Sequence, residues 1–453
     1  MDPTLEAIDP ARPPRLDRSP TFLIRQIAAE VSCATRYYDR LLQWLPHASD
    51  HGELLEAIDC PRKETITEEG SLPDLSHEQE QRSGVLLYSN FNYDYDIQQL
   101  LMQLKPKLSR TSRVLAVCYN PYLRWPFALA HRLGLWRGEM PTTFATRSVL
   151  INIAKLSGFE IIRERPAAHF PFEIFGIGTF VDRLISSLPL VRNLALVEIV
   201  FLRPIIACRE RPSLSIVIPA RNERGNIEPA LQRLPDFEGT QVEVLFVEGH
   251  STDGTWEEIQ RVMAENTRPI ACRAIQQAGV GKADAVRLGF LHASGDILTI
   301  LDADLTMPPE LLPRFYEAYC RGNADFINGS RLVYPMEGNA MRSLNLLGNL
   351  FFAKALSWIV SAPLTDVLCG TKLLARHDYE RFRRWRDDFG DFDPFGDFEL
   401  LFPAAVMGLG IVDVPIRYRD RTFGTTQIRR FRHGWELLKM TTIAILRIKV
   451  ARL

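Results

Sequence analysis

No run of about 18 apolar residues occurs in this chain, so nothing in it reads as a helix that spans a bilayer; the best stretches, 194–206 and 440–450, are short or interrupted. Paired cysteines are missing as well. The seven, at 33, 60, 118, 208, 272, 320 and 369, form no C-x-x-C and stand without histidine at metal-ligand spacing. That excludes a zinc module and a disulfide scaffold, and fits a reducing, cytoplasmic setting. There is no excess of charge of one sign: 54 Lys and Arg balance 55 Asp and Glu to a net −1. Nothing draws the chain as a whole to nucleic acid, and none is expected as a partner. Residues 1–20 mix acids with prolines and contain no apolar core segment, so they read as a disordered leader rather than a secretory signal. In a cytoplasmic protein the sequon Asn328-Gly-Ser330 is not a glycosylation site.

What is present suits packed cores: 46% of residues are apolar and 24% charged, and 453 residues exceed one typical core, so two domains are expected. Residues 20–45 read as a helix and 46–82 as a polar, acidic, exposed loop. From there GVLLYSN (84–90), DIQQLLMQLKPKL, RVLAVCYN (113–120), a helix near 147–156 and GFEIIRER (158–165) alternate strand with helix, the rhythm of an α/β layer. These segments resemble the fourth and fifth strands and the late Gly-Phe turn of class I S-adenosylmethionine-dependent methyltransferases, and the likeness covers roughly residues 40–165. The opening strand and Gly-rich turn of that family are not found around Gly52, where one glycine stands and no apolar strand is evident. Residues 21–165 are therefore expected to form an incomplete Rossmann-like domain, a non-catalytic remnant or docking unit. Residues 166–212, aromatic and apolar with three basic breaks, read as bridging helices, against a membrane or against the second domain.

The second half repeats a tighter pattern. SLSIVIP (213–219), VEVLFVE (242–248) and ILTIL (297–301) are apolar runs of buried parallel type, each ending in polar residues and followed by a helical stretch. After the third run stand Asp302 and Asp304. Carboxylates at i and i+2 point to opposite faces of a continuing strand, but where the chain turns both approach one region. Hard oxygen donors of this kind hold a divalent cation, which neutralises the charge that develops on a diphosphate leaving group.

In order along the chain, IVIPARNE (216–223), FVEGHSTDGT (246–255), GKADAVRLGF (281–290), DADLTMPPE (302–310), NGSR (328–331), TDVLCGTKLLAR (365–376) and RTFGTT (421–426) resemble the family 2 glycosyltransferases, and within them the polyprenyl-phosphate (dolichol-phosphate) mannosyl- and glucosyltransferases. The resemblance implies a GT-A fold over 213–428, α/β with a mostly parallel central sheet. It implies a nucleotide-sugar donor contacted by Pro219, Arg221, Glu223, Glu248, Lys282, Asp302, Ala303, Arg331 and Arg421, with Mg2+ or Mn2+ on Asp302 and Asp304. It also implies inverting transfer of a hexose to a polyprenyl phosphate or another lipid-linked or cell-envelope acceptor. Departures from the family pattern are Glu248-Gly249 for Asp-Asp, Thr306 for a metal-assisting Gln, Cys369 for Ser and Gln427 for Lys. Asp397, in FDPFGDFELL, is a candidate general base, needed for a hydroxyl acceptor and not for an anionic phosphate.

From Arg429 onward seven Lys and Arg face a single Glu436, with Trp435, Leu438, Ile445 and Ile448 near helical spacing. Residues 429–453 read as a basic amphipathic helix on an anionic membrane, which places the protein peripherally on the inner face of the cell membrane; packing of that helix on the catalytic domain is the alternative. Two other functions stay open: a bifunctional chain that still methylates, and a catalytically silent nucleotide-sugar-binding scaffold.

Overall fold

The computed structural model describes residues 21–47, 50, 52–93, 96–134, 140–169, 194–334, 343–391, 393, 396–421, 423 and 430–450. The leader 1–20 lies outside them.

Thr21 caps the first helix, Phe22–Thr35, by accepting from the Ile24 N–H. The chain then turns into β1 (Arg40–Trp44), where the sequence pattern had predicted continued helix. Leu42 and Trp44 face one side of the new sheet and Leu41 the other, so this short run is sheet core. The stretch expected to be loop holds β2 (Lys63–Ile66), which pairs parallel with β1. Only Ile66 of β2 is buried, which leaves the strand no apolar pattern to betray it.

The next strands are β3 (Ser83–Tyr88), β4 (Arg113–Tyr119) and β5 (Phe159–Ala167). The span expected to be bridging helices contains β6 (Val197–Pro204), antiparallel to both β4 and β5. VEIVFLRP is rich in β-branched and aromatic residues with inner positions on both faces, which suits a strand inserted between two neighbours. The expectation for 170–193 lies outside the described residues. The six-stranded sheet runs β2-β1-β3-β4-β6-β5.

The second sheet follows at once: β7 (Leu214–Ala220), β8 (Val242–Glu248), β9 (Ala271–Gln276), β10 (Ile297–Ile300), β11 (Phe326–Ser330), β12 (Lys372–Ala375) and β13 (Ile411–Pro415). Its order is β13-β11-β12-β10-β7-β8-β9. The β10-β7-β8-β9 run and the β11-β13 pair are parallel, whereas β12 is antiparallel to both neighbours. Along β7, Leu214, Ile216 and Ile218 pack into one core while Val217 packs into the other, as expected of a strand covered on both faces. The mixed, mostly parallel α/β sheet expected for this half is what forms.

The two sheets meet through side chains from the first half reaching loops and a helix of the second. Arg113 pairs with Asp325 at 2.5 Å and donates to the Gly408 carbonyl; Arg82 pairs with Asp378 at 2.6 Å. Arg203 donates to the carbonyls of Gly322 and Asn323, Arg110 to that of Ala324, and the Tyr38 hydroxyl to that of Met407. The acceptor loops 322–325 and 406–410 immediately precede β11 and β13, so the first sheet supports the N-terminal ends of those strands. The C-terminal ends of those strands lie at the opposite edge of the sheet.

Candidate functional site

At that opposite edge, buried strands stop abruptly and the chain must turn within a few residues. Three adjacent strand ends do so through a residue with positive φ: Asn222 after β7 (54°), His250 after β8 (58°) and Leu305 after β10 (54°). For a leucine this costs roughly 1–2 kcal/mol, strain that a strand-end site retains because its surroundings fix it.

The turns are laced together. The Asn222 N–H donates to Ser251 Oγ at 2.9 Å, the Thr252 N–H to Asn222 Oδ1 at 2.8 Å, and the Glu223 N–H to Thr255 Oγ1 at 3.0 Å. Glu248 accepts from the Ser251 N–H at 2.5 Å and from Gln276 Nε2 at 3.3 Å, so its carboxylate closes its own loop. Pro219 lies in β7 opposite Val247, and Arg221 follows the strand; Ala303 is buried between the two aspartates of the D-x-D.

Those aspartates share one region, as the turn after β10 predicts. Asp302 pairs with Lys282 Nζ at 2.5 Å, and Asp304 with Arg421 Nη2 at 2.7 Å. Arg421 also grips Glu223 at 3.0 Å, joining the ends of β7 and β10 to a distant segment. Burial is the main cause that raises the Glu223 carboxyl above the usual range, opposed by Arg421 and by Asn226 at 2.6 Å. Burial works against charge on Lys282, yet the neighbouring carboxylates Asp302 and Asp397 more than offset it and hold the amine above its ordinary value. Gly370 completes this corner: a Cβ there would meet Asp302 Oδ2 at 2.2 Å and Lys282 Nζ at 2.3 Å, so a larger residue would push those two side-chain ends out of their present pairing.

Arg331 forks onto Asp366 at 2.7 and 2.8 Å. Although burial opposes ionisation, that fork, with Asn349 and the Arg331 N–H, holds Asp366 down at about 2. The Arg331 guanidinium stands 5.5 Å from the Tyr418 ring. Asp397 begins the helix Phe398–Val406 and accepts from Lys372 Nζ at 2.6 Å. Sequence reasoning passed over Lys372, a fully buried amine at the start of an apolar strand; a lysine opening KLLA just after Gly370-Thr371 was the only signal.

Among the described residues no three His, Cys, Asp or Glu side chains converge to hold a metal. Two carboxylates do converge, with Thr306 Oγ1 on Asp304 at 2.8 Å. Such a sparse, hard-oxygen set fits a cation that takes its remaining ligands from phosphate and water. Both carboxylates face a cationic side chain, so the corner is electrostatically closed by Lys282 and Arg421.

The tail divides between two environments. Leu437, Met440, Ala444 and Ile448 are buried in the same core as the helix Ser343–Val360, so Ile448, and Ile445 packed against that core, are not part of a free apolar stripe. The reason is the period: residues at 437, 440, 444 and 448 make the inward face, and Trp435 and Leu438 lie off it, 70% and 44% exposed. No helix among the described residues is long and apolar enough to cross a membrane.

Comparison with known proteins bears on the family of the C-terminal half. The sequence model described as glycosyl transferase family 2 matches residues 215–382. A dolichol-phosphate mannosyltransferase of Pyrococcus furiosus is 36% identical over 240 residues, covering 50% of this chain and 64% of its own length. A dolichyl-phosphate hexose transferase of Haloferax volcanii is 30% identical over 224 residues, 49% of this chain and 89% of its own. The chain thus spans somewhat less than two thirds of the first relative and most of the second. Among solved structures, glucosyl-3-phosphoglycerate synthase of Mycobacterium tuberculosis aligns at 18% identity and TM-score 0.37 over 52% of this chain and 79% of that one, too partial a likeness to bear on the site.

Proposed function

The chain belongs to glycosyl transferase family 2 through its C-terminal half, and from that premise we propose that it moves a hexose, with inversion, from a nucleoside-diphosphate sugar to a polyprenyl phosphate. One observation carries the proposal: Asp302, Asp304, Lys282, Arg421 and Glu223 converge where β7 and β10 end, a cluster whose charges match a diphosphate and its counter-ion.

In this reading Glu223, Arg221, Pro219 and Glu248 border the nucleoside, and Asp302, Ala303 and Asp304 border the ribose and phosphates. Asp302 and Asp304 would hold Mg2+ or Mn2+, which neutralises the diphosphate when bound. Lys282 and Arg421, which balance those carboxylates in the ligand-free chain, then turn their positive charge to the phosphate oxygens. The acceptor phosphate oxygen attacks the anomeric carbon as the bond from that carbon to the diphosphate breaks. The electron pair leaves with the nucleoside diphosphate, and the new bond forms on the opposite face. An anionic acceptor needs no base. Asp397 is then a partner of Lys372; it would serve as a base only toward a hydroxyl acceptor.

Membrane contact is the natural setting for a lipid acceptor. Exposed Trp435 and Leu438, with Leu350 and Phe351 on the neighbouring helix, offer apolar side chains beside the basic tail. The N-terminal sheet is proposed to be a docking and support unit rather than a second enzyme, since its arginines bind loops of the catalytic half.

The test is a panel of labelled GDP- and UDP-hexoses incubated with the chain, Mn2+ and a polyprenyl phosphate, with the lipid product resolved by chromatography. A labelled, base-stable glycolipid from one donor is expected. Tight donor binding without any product would instead favour a silent donor-binding scaffold.

A further inference from the structure

We propose that Cys208 and Cys320 are a redox-active dithiol at the seam between the two sheets, a modification site at which a small-molecule disulfide oxidises the chain to an intramolecular Cys208–Cys320 bond.

Cys208 lies in the strap between β6 and β7, and Cys320 closes the helix Leu312–Cys320. The Cys208 N–H donates to the Cys320 carbonyl at 2.7 Å. With N–Cα, Cα–C and C=O bonds of roughly 1.46, 1.52 and 1.23 Å, one such contact keeps the two α-carbons within about 6.6 Å of each other. Disulfides span roughly 4.4–6.8 Å between α-carbons, so the bond needs little backbone movement. The strap is held in register on either side. A Cβ at Gly322 would lie 2.4 Å from the Ile206 carbonyl oxygen, the Tyr316 hydroxyl donates to the Pro212 carbonyl at 2.6 Å, and Arg211 pairs with Glu317 at 2.8 Å.

The chemistry is asymmetric. Arg110, stacked on the Tyr319 ring at 3.6 Å, donates to Cys208 Sγ at 2.8 Å. A half-buried sulfur against a guanidinium is the setting that favours a thiolate. The groups facing Cys208 are the Cys320 thiol, Arg110 and Asp325. The hydrogen bond from Cys320 does most to bring it down to about 6; burial and Asp325 oppose this and Arg110 assists. Cys320 faces Cys208, Tyr316 and Glu317, and its thiol is pushed up. Cys33, Cys60, Cys118 and Cys369 are buried, and burial raises each of them, as it does Cys272. Cys208 is thus the attacking sulfur and Cys320 the resolving one.

With oxidised glutathione as the co-reactant, the Cys208 thiolate attacks one of its sulfurs, forming a mixed disulfide and releasing one glutathione thiolate. Cys320 loses its proton and attacks the Cys208 sulfur, expelling the second glutathione. The protein gives up two electrons and the reagent accepts them; the Cys320 proton, and the one Cys208 released to water on ionising, end on the two glutathione thiolates.

The experiment incubates the full chain with oxidised glutathione, counts thiols under denaturing conditions, and locates the bond by non-reducing peptide mass mapping. Two of the seven free thiols are expected to disappear into one Cys208–Cys320 peptide pair. In Cys320→Ser a single glutathione adduct should accumulate on Cys208. In Arg110→Gln the pH midpoint of the first step should rise from about 6 toward the ordinary thiol value of ~8.5. Seven persisting thiols, a stable glutathione adduct on the wild-type chain, or a bond between other cysteines would overturn the proposal. So would a Cys208→Ser chain that loses thiols at the wild-type rate.

Discussion

Replacing Asp325 by Asn should destabilise the whole chain by about 3 kcal/mol or more, because one carboxylate balances a nest of buried arginines. Asp325 is 3% exposed and stands just ahead of β11. It pairs with Arg113 at 2.5 Å, lies 3.7 Å from Arg110 Nε and 3.9 Å from Arg203 Nη1, and accepts from the Gly410 N–H at 2.9 Å. The Arg113 and Arg203 side chains are 0% and 1% exposed, so water does not replace a lost partner. Burial alone would raise the Asp325 carboxyl, and the surrounding arginines overturn that and hold it far below the usual range. Asparagine keeps the shape and the acceptor for Gly410 but removes the charge. Breaking a buried pair in this way costs roughly 3–5 kcal/mol, since the opposite charges stay buried and repel one another. Both sheets contribute to the cluster, so the loss should appear in tryptophan fluorescence and far-ultraviolet circular dichroism as one shifted urea transition. A shift under about 1 kcal/mol, or a shift confined to one of two separated transitions, would refute the idea that this cluster fastens the halves together.

Gly370→Ala should leave the thermal midpoint within a few degrees, because the atoms its Cβ meets are the flexible ends of Asp302 and Lys282, yet weaken nucleotide-sugar binding about tenfold in calorimetry; unchanged affinity would remove Gly370 from the site. Asp366, held at about 2 in the fold against 3.8 ordinarily, contributes stability that is fully present above about pH 4 and is lost as pH falls toward 2. Urea titrations at pH 4 and pH 2 should show about 2 kcal/mol less acid-induced loss in Asp366→Asn than in the wild type, and equal losses would contradict the assignment. Trp435→Ser with Leu438→Ser should reduce co-sedimentation with anionic vesicles at least tenfold, each side chain contributing roughly 1.5–3 kcal/mol when buried in lipid. Unaltered sedimentation would exclude that face from membrane contact.

How far the sequence foretold these features depended on whether the signal was local. β7, β8 and β10 are largely buried on both faces and so appear as mostly apolar runs, and the D-x-D stands directly after one of them. β1 was hidden because RLLQW follows a helix with too little punctuation, and β2 because a single buried residue gives no period. β6 passed for a bridging helix because a strand covered on both faces is apolar without alternation. Contacts between distant segments were not legible at all. Arg113 and Asp325 are 212 residues apart, and Arg421 and Asp304 are 117 apart; neither pairing has any local mark in the sequence. The same holds for the tail, where helical spacing showed an amphipathic helix but not which face the helix Ser343–Val360 would cover.

The proposed role of the Asp302–Asp304 corner in sugar transfer from a nucleotide is tested by comparing wild type with Asp304→Asn in hexose transfer to a polyprenyl phosphate in the presence of Mn2+. The substitution removes one charge from a site near 16% side-chain exposure at nearly constant volume, so circular dichroism and the thermal midpoint should be preserved. Loss of one preorganised charge contact at a developing leaving group lowers turnover on the order of 10²–10³-fold, and that is the expected result. Transfer at the wild-type rate by a folded Asp304→Asn chain would contradict the account.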